Sequence, residues 1–278
     1  MPGWKKHQKT NCIYQKKLRL AVSFVLVLAL LFLAAFAGWI APQDPYEQDL
    51  SSTLLPPGSG HLLGTDRYGR DLLSRVILGA RTSVAASLAL VTMTLFLGSV
   101  VGICCGYLGG WPDALLMRIS DIFFAFPGMV FAIAAASVFH GGMVSAVLAL
   151  SLISWPKYAR LARERVLSIK EEAFIAAARF SGNTSLQIIV RHVLPNIAGT
   201  LIVTAALDIG TMLMELSGLS FLGLGAVAPA AEWGAMMSDG RSLLQTAPWV
   251  VLAPGAAMVL TVTVLNLFGE ALRDYCDV

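Results

Sequence analysis

The sequence predicts an all-α integral membrane protein with six transmembrane helices, and three observations carry that prediction. The chain has 278 residues, of which 56% are hydrophobic and only 13% charged, about half the ~25% charge of an ordinary soluble domain. Several runs of ~17–25 residues hold no charge, the length a helix needs to cross ~30 Å of hydrocarbon. The Lys and Arg residues are divided unevenly among the connecting segments, fifteen against five, when six spans are drawn. That asymmetry puts both termini on the basic, cytoplasmic side. The net charge of +3 is small and calls for no nucleic-acid partner.

Taken in order, residues 1–42 form a basic tail and the first span. The tail MPGWKKHQKTNCIYQKKLR is followed by a charge-free run from Leu20 to Pro42. That run exceeds the ~7–15 apolar residues of a signal peptide and reads as an uncleaved first helix. Residues 43–82 are an external loop rich in Pro and Gly. Leu72, Leu73, Val76 and Ile77 near its end suit a short amphipathic helix over 70–81, lying at the interface. The five external basic residues Arg67, Arg70, Arg75, Arg81 and Arg241 are partly offset by Asp44, Glu47, Asp49, Asp66 and Asp71.

Residues 83–278 make a five-helix core. Its first span, Ser83 to Tyr107, carries Gly98, Gly102 and Gly106 at four-residue spacing, a stripe that lets another helix approach closely. From Ile122 to Pro156 the only titratable group is His140. Those 35 residues would make ~52 Å of helix, too long for one crossing. A turn at His140-Gly141-Gly142 therefore divides them into spans at 120–139 and 143–157. A fifth span follows over Ile197 to Leu216, then an external loop over 217–249, then a last span over Val250 to Phe268. Cys12, Cys104, Cys105 and Cys276 form no metal or disulfide pattern and read as free thiols.

The polar block at 157–196 holds seven Lys and Arg residues between two apolar spans. Its segment EEAFIAAARF favours helix, with Glu171 and Glu172 in the first turn and Arg179 near the end. Ser181-Gly182-Asn183 supplies the stop, Gly182 taking positive φ, and Asn183 or Thr184 caps the next helix. Ile188, Ile189, Val193 and Leu194 give that helix an apolar stripe, and Pro195 marks the entry to the fifth span. Two short helices around a glycine elbow make a rigid knob, and its small alanines suit docking into another protein's groove.

On these residues the chain resembles the permease subunits of bacterial ABC importers. AAARFSGNTSLQIIVRHVLPN is similar to their cytoplasmic loop signature, a Glu-Ala-Ala triplet, a Gly four residues on, and a later Leu-Pro. Ala176, Ala177, Ala178, Gly182, Leu194 and Pro195 fall in register, with Ala176 where the family has Glu. LLGTDRYGRDLLSRVILGARTSV, from Leu62 to Val84, and LSFLGLGAVAPAAEWGAMMSDGR, from Leu219 to Arg241, resemble further segments of the dipeptide, oligopeptide and nickel permeases of the second-subunit type. Asp208-Ile209-Gly210, Met212 with Met214, and Ala231-Glu232-Trp233-Gly234 resemble the nickel permease most.

The resemblance implies a type I importer permease fold with a cytoplasmic coupling helix. It implies coupling through Glu172, Ala176, Ala177, Ala178, Gly182, Leu194 and Pro195. It also implies a second homologous permease subunit, two cytoplasmic ATPase subunits that use ATP and Mg, an extracytoplasmic substrate-binding protein, and a place in the bacterial inner membrane. The cargo it implies is nickel or a nickel chelate, the alternative being a di- or oligopeptide or another metal chelate.

The residues agree that this chain is not itself the motor. No GxxxxGK[ST], HExxH or GxSxG occurs, so no enzyme site is visible and no cofactor is bound by this chain. Asp208 and Glu215, seven apart in the fifth span, share a helix face with Met212 nearby. Carboxylates in hydrocarbon are costly and usually functional. The expectation is that this face lines the translocation path and offers oxygen ligands to a cation; the alternative is that Asp208 bonds a neighbouring helix. His61 and His140 fall on the outer side as candidate metal captors, and Trp233 as an interface anchor or a contact for the binding protein. An autonomous channel or carrier is the competing class; no inverted repeat between the halves supports it. An intramembrane enzyme lacks a nucleophile–base or metal constellation.

Overall fold

The computed structural model describes residues 3–276 apart from residues 59 and 140, with side chains from residue 15 onward. His140 and the side chains of Cys12, Lys5, Lys6 and Lys9 therefore lie outside the described residues. Among the described residues every long element is helical, and the one β feature is an isolated bridge between Thr65 and Asp71.

Helix α1 (Gly3–Ala35) ends at Phe36 and is followed by one turn, α2 (Ala37–Ile40). Its apolar stretch Gln15–Ala35 is only 17% buried, so most of it faces outward. Residues 41–71 then fold back with a short 3₁₀ turn at Leu50–Ser52. Helix α3 (Leu72–Leu108) starts where Asp71 caps it, accepting from the Ser74 backbone N–H at 2.8 Å. At 37 residues it is ~56 Å long, well beyond the hydrocarbon thickness. The expected interfacial helix at 70–81 is thus no separate element. No breaker separates Arg81 from Ser83, so those residues are the first turns of α3. They pack inward: Trp233, 2% exposed, lies against Gly79, where a Cβ would sit 2.9 Å from its ring.

The expected span at 120–139 also changes. Helix α4 (Gly110–Ala125) follows α3 directly through Gly109 and Gly110, both at positive φ, and α5 (Gly128–Val138) leaves it at 99°. Pro127 explains the break. It has no N–H to donate, and it pushes the preceding Phe126 to φ −105°, ψ 148°. Gly141 and Gly142, at φ +76° and +92°, turn the chain into α6 (Met143–Ile169). That helix runs twelve residues past the expected span end at Lys157.

Helix α7 (Ala173–Phe180) comes next, then α8 (Ser185–Ile188), a π-helical stretch at Ile189–Val193 and α9 (Leu194–Phe221). From Ser185 to Phe221 the chain is one continuous helical run, so Pro195 does not open a new span; the wider π register absorbs its missing donor. Helix α10 (Trp233–Gly240) and the closing α11 (Trp249–Cys276) complete the fold.

Among the described residues four helices are long and apolar enough to cross a membrane, and five if the bent α4–α5 pair counts as one span. Helix α6 is not among them, because its second half is charged. The bundle centres on α3 and α6. A Cβ at Gly98 would lie 2.5 Å from the Tyr158 Cβ, one at Gly102 2.8 Å from the Ala162 Cβ, and one at Gly106 2.8 Å from the Val166 Cβ. Nothing larger than glycine fits along this seam. Helix α9 covers the pair, sharing its core through Leu201, Met212, Leu216 and Leu219. A second cluster around Trp233, Leu72, Val84 and Leu213 closes the opposite end from α7.

Candidate coupling surface and the buried carboxylate

Helix α7 begins at Ala173, with Glu172 at the N-cap and Glu171 outside, so neither acid stands in its first turn. The stop is a Schellman arrangement. The Gly182 N–H donates to the Arg179 carbonyl at 3.0 Å and the Asn183 N–H to the Ala178 carbonyl at 3.3 Å, with Gly182 at φ +80°. The Asn183 side chain adds a 3.0 Å bond to the same Ala178 carbonyl. Thr184 then opens α8 with a capping box. Its hydroxyl accepts from the Gln187 N–H at 3.4 Å, and the Gln187 side chain accepts from the Thr184 N–H at 2.8 Å. Each backbone N–H from Ser181 to Thr184 has a partner, so the elbow's angle is held from both sides.

The two faces of this unit differ. Ile175, Ala178, Ile188 and Val193 are buried against the bundle. Phe174, Ala176, Ala177, Leu186, Val190, Leu194 and Pro195 are exposed, and Phe180 is 92% exposed. Of the alanine triplet, only Ala176 and Ala177 therefore lie on the outward face. These exposed side chains make a projecting apolar knob.

Behind the knob, ion pairs anchor α4 to α6. Arg163 grips Asp113 with two hydrogen bonds, of 2.6 and 2.7 Å, the bidentate geometry that makes such pairs strong. These bonds hold the guanidinium pKa above its ordinary value. Arg160 donates to Asp121 at 2.5 Å and lies over the Phe124 ring at 4.2 Å.

Of the two carboxylates of the fifth span, Asp208 bonds a neighbouring helix. Asp208 is buried, and both its oxygens are engaged: Lys157 Nζ donates to one at 2.6 Å and Tyr158 Oη to the other at 2.9 Å. It ties α9 to α6 and leaves no oxygen unpartnered for a passing cation. Met212 is buried in the same core, while Glu215 is half-buried with no hydrogen bond or ion pair among the described residues. The sequence reading missed Lys157 and Tyr158. The available signal was the need of a carboxylate in hydrocarbon for an opposite charge.

At the far end, the expected roles of His61 and Trp233 also change. His61 Nδ1 lies 3.0 Å from Asp71, the cap of α3. The indole N–H of Trp233 donates to the Val76 carbonyl at 3.0 Å, deep in the fold rather than at an interface. Glu232, fully buried, caps α10 through the Gly234 and Ala235 N–H groups. Asp66 binds Arg70 at 2.6 Å and Arg75 at 3.5 Å, and Asp239 binds Arg67 at 3.1 Å. No three His, Cys, Asp or Glu side chains converge on a metal position among the described residues.

Residues 98–277 match the family of binding-protein-dependent transport system inner membrane components. The chain belongs to that family. Residues 16–57 further match the N-terminal transmembrane domain of oligopeptide transport permease C. The chain is 40% identical to the dipeptide transport system permease protein of Alkalihalophilus pseudofirmus, over 94% of its length and 86% of that protein. It is 39% identical to the nickel transport system permease protein of Escherichia coli, over 93% of both chains. It is 38% identical to the glutathione transport system permease protein of Pectobacterium atrosepticum, over 95% and 89%. Among solved structures, the inward-facing MetNI methionine ABC transporter matches with a TM-score of 0.51 and 22% identity, over 68% of this chain and 91% of that one, a likeness of fold. The chain is thus a multi-pass inner-membrane permease subunit of an ABC importer, and not an enzyme.

Proposed function

We propose that the chain forms half of a translocation pore with a second homologous permease and crosses the membrane six times with both termini cytoplasmic. Two cytoplasmic ATPase subunits dock on residues 171–195 and hydrolyse ATP with Mg. An extracytoplasmic binding protein delivers the cargo. The observation that carries the docking reading is the outward apolar face of α7 and α8, with Phe180 almost wholly exposed on a backbone fixed at the elbow. Membrane insertion gives such a side chain no reason to project, whereas a cleft in a partner does. Replacing Gly182 by Pro, or Ala177 by a bulky residue, is expected to abolish transport with membrane insertion intact. Full transport in both variants would sink the docking role.

For the cargo, the reading best supported is a short peptide. Asp208, the residue that argued for a cation, is engaged by Lys157 and Tyr158, and relatives named for dipeptide and glutathione transport stand at 38–40% identity. Nickel or a nickel chelate is the second reading, favoured by a relative named for nickel transport at 39% identity over nearly the whole chain. Uptake of radiolabelled dipeptide and of radiolabelled nickel, in cells with and without the gene, separates the two. Loss of dipeptide uptake alone supports the peptide; loss of nickel uptake that excess dipeptide does not mimic supports nickel.

A further inference from the structure

A push on α7 passes through the glycine elbow into the continuous helical run of α8, the π stretch and α9, whereas a route into α3 must run through side-chain contacts. One buried ring supplies it. Tyr107, 7% exposed, stands in the last turn of α3 beneath α7. Arg179 of α7 places its guanidinium carbon 5.7 Å from the ring centroid, and Lys170, the C-cap of α6, places Nζ at 5.8 Å. Both lie within the ~6 Å reach of a cation–π contact. Lys170 Nζ also donates to the Gly106 carbonyl at 3.4 Å. Ile175 and Ala178, on the inward face of α7, and Val166 of α6 share one apolar cluster with Tyr107. Gly106 makes the meeting possible, because its missing side chain lets α3 close against Val166.

We propose that Tyr107 is a positioning residue that locks α7 to the α3–α6 pair, so that force on the coupling loop moves α3 and α6 together as one rigid lever. The proposal rests on the docking reading above. The glycine seam from Gly98 to Gly106 supports it, since helices in backbone contact have no layer of side chains between them to shear. The ring face, not the hydroxyl, makes both cation contacts. Tyr107→Phe therefore keeps the lock, while Tyr107→Leu keeps apolar bulk and removes it.

The test places spin labels at Leu108 and Ser181, both exposed, with Cys12, Cys104, Cys105 and Cys276 replaced by Ser. The assembled transporter is purified with its partner subunits, and label distances are measured nucleotide-free and after vanadate trapping with ATP and Mg. In the parent chain and in Tyr107→Phe the distance distribution should be the same in both states. In Tyr107→Leu it should shift or broaden on trapping, the displaced population rising on the order of tenfold. A parent distance that itself changes on trapping would overturn the proposal, as would a Tyr107→Leu distribution that stays fixed. Absence of the ATPases from the purified parent assembly would sink the docking reading and this one with it, an outcome distinct from a changed distance in an intact complex.

Discussion

Among the described residues, Asp208 and Lys157 form the one ion pair of a fifth-span carboxylate, and its energetics turn on which partner is removed. Lys157 is half exposed along its side chain, whereas the Asp208 side chain is 9% exposed. Removing the lysine strands a buried anion; removing both charges does not. Lys157→Met should therefore lower stability by about 1–2 kcal/mol, discounted from a fully buried pair for the exposure of the lysine, and adding Asp208→Asn should restore part of that loss. Thermal inactivation of the purified protein checks this, and a double variant less stable than Lys157→Met would refute it. Glycines make a second residue-scale contrast. Gly102→Leu must force Ala162 away and should cost ~1–3 kcal/mol from overpacking. Gly182→Ala meets open space, and its cost is the ~1–2 kcal/mol of holding a side chain at φ +80°.

Among the elements, the α7–α8 elbow and the α4–α5 break illustrate two ways a helix can be ended. The elbow is ended by capping, and capping is local. Thr184→Ala removes half of the capping box and should cost ~1 kcal/mol, raising amide exchange over Leu186–Ile188 about fivefold without disturbing α7. Hydrogen exchange read by mass spectrometry measures this directly. The break at Pro127 is covalent, so α4 depends on distant ion pairs for its position. Asp113→Ala should speed exchange along α4, while a lysine at Asp113, placed against Arg163, should do so more strongly. Equal protection in all three forms would show that α4 is held by something else.

For the whole molecule, the outward knob predicts assembly. Phe180→Asp should insert in the membrane normally and lose the ATPase subunits on purification, because a charge in the centre of a dry contact is poorly tolerated. At this scale the sequence was most legible: charge-free runs locate α1, α3, α9 and α11, and the glycine and capping residues locate the elbow. It was least legible where an outcome depends on residues far apart in the chain. The inward packing of the first turns of α3 depends on Trp233 lying against Gly79, and the role of Asp208 depends on α6 continuing past Lys157. Pro127 was visible, but a proline in an apolar run does not announce whether it kinks a helix or divides it at 99°.

The Lys157–Asp208 bond has a further consequence for how the protein is made. Its partners are 51 residues apart, and a ribosome adding about 5–20 residues per second delivers the second on the order of 3–10 s after the first. During that interval the α6 ammonium group lacks its carboxylate partner, whereas the apolar stretch of α1 is only 17% buried. Insertion of this chain is therefore not a sequence of independent crossings. The first helix can be released into lipid at once, and α6 must be kept at the insertion machinery until α9 arrives to neutralise it.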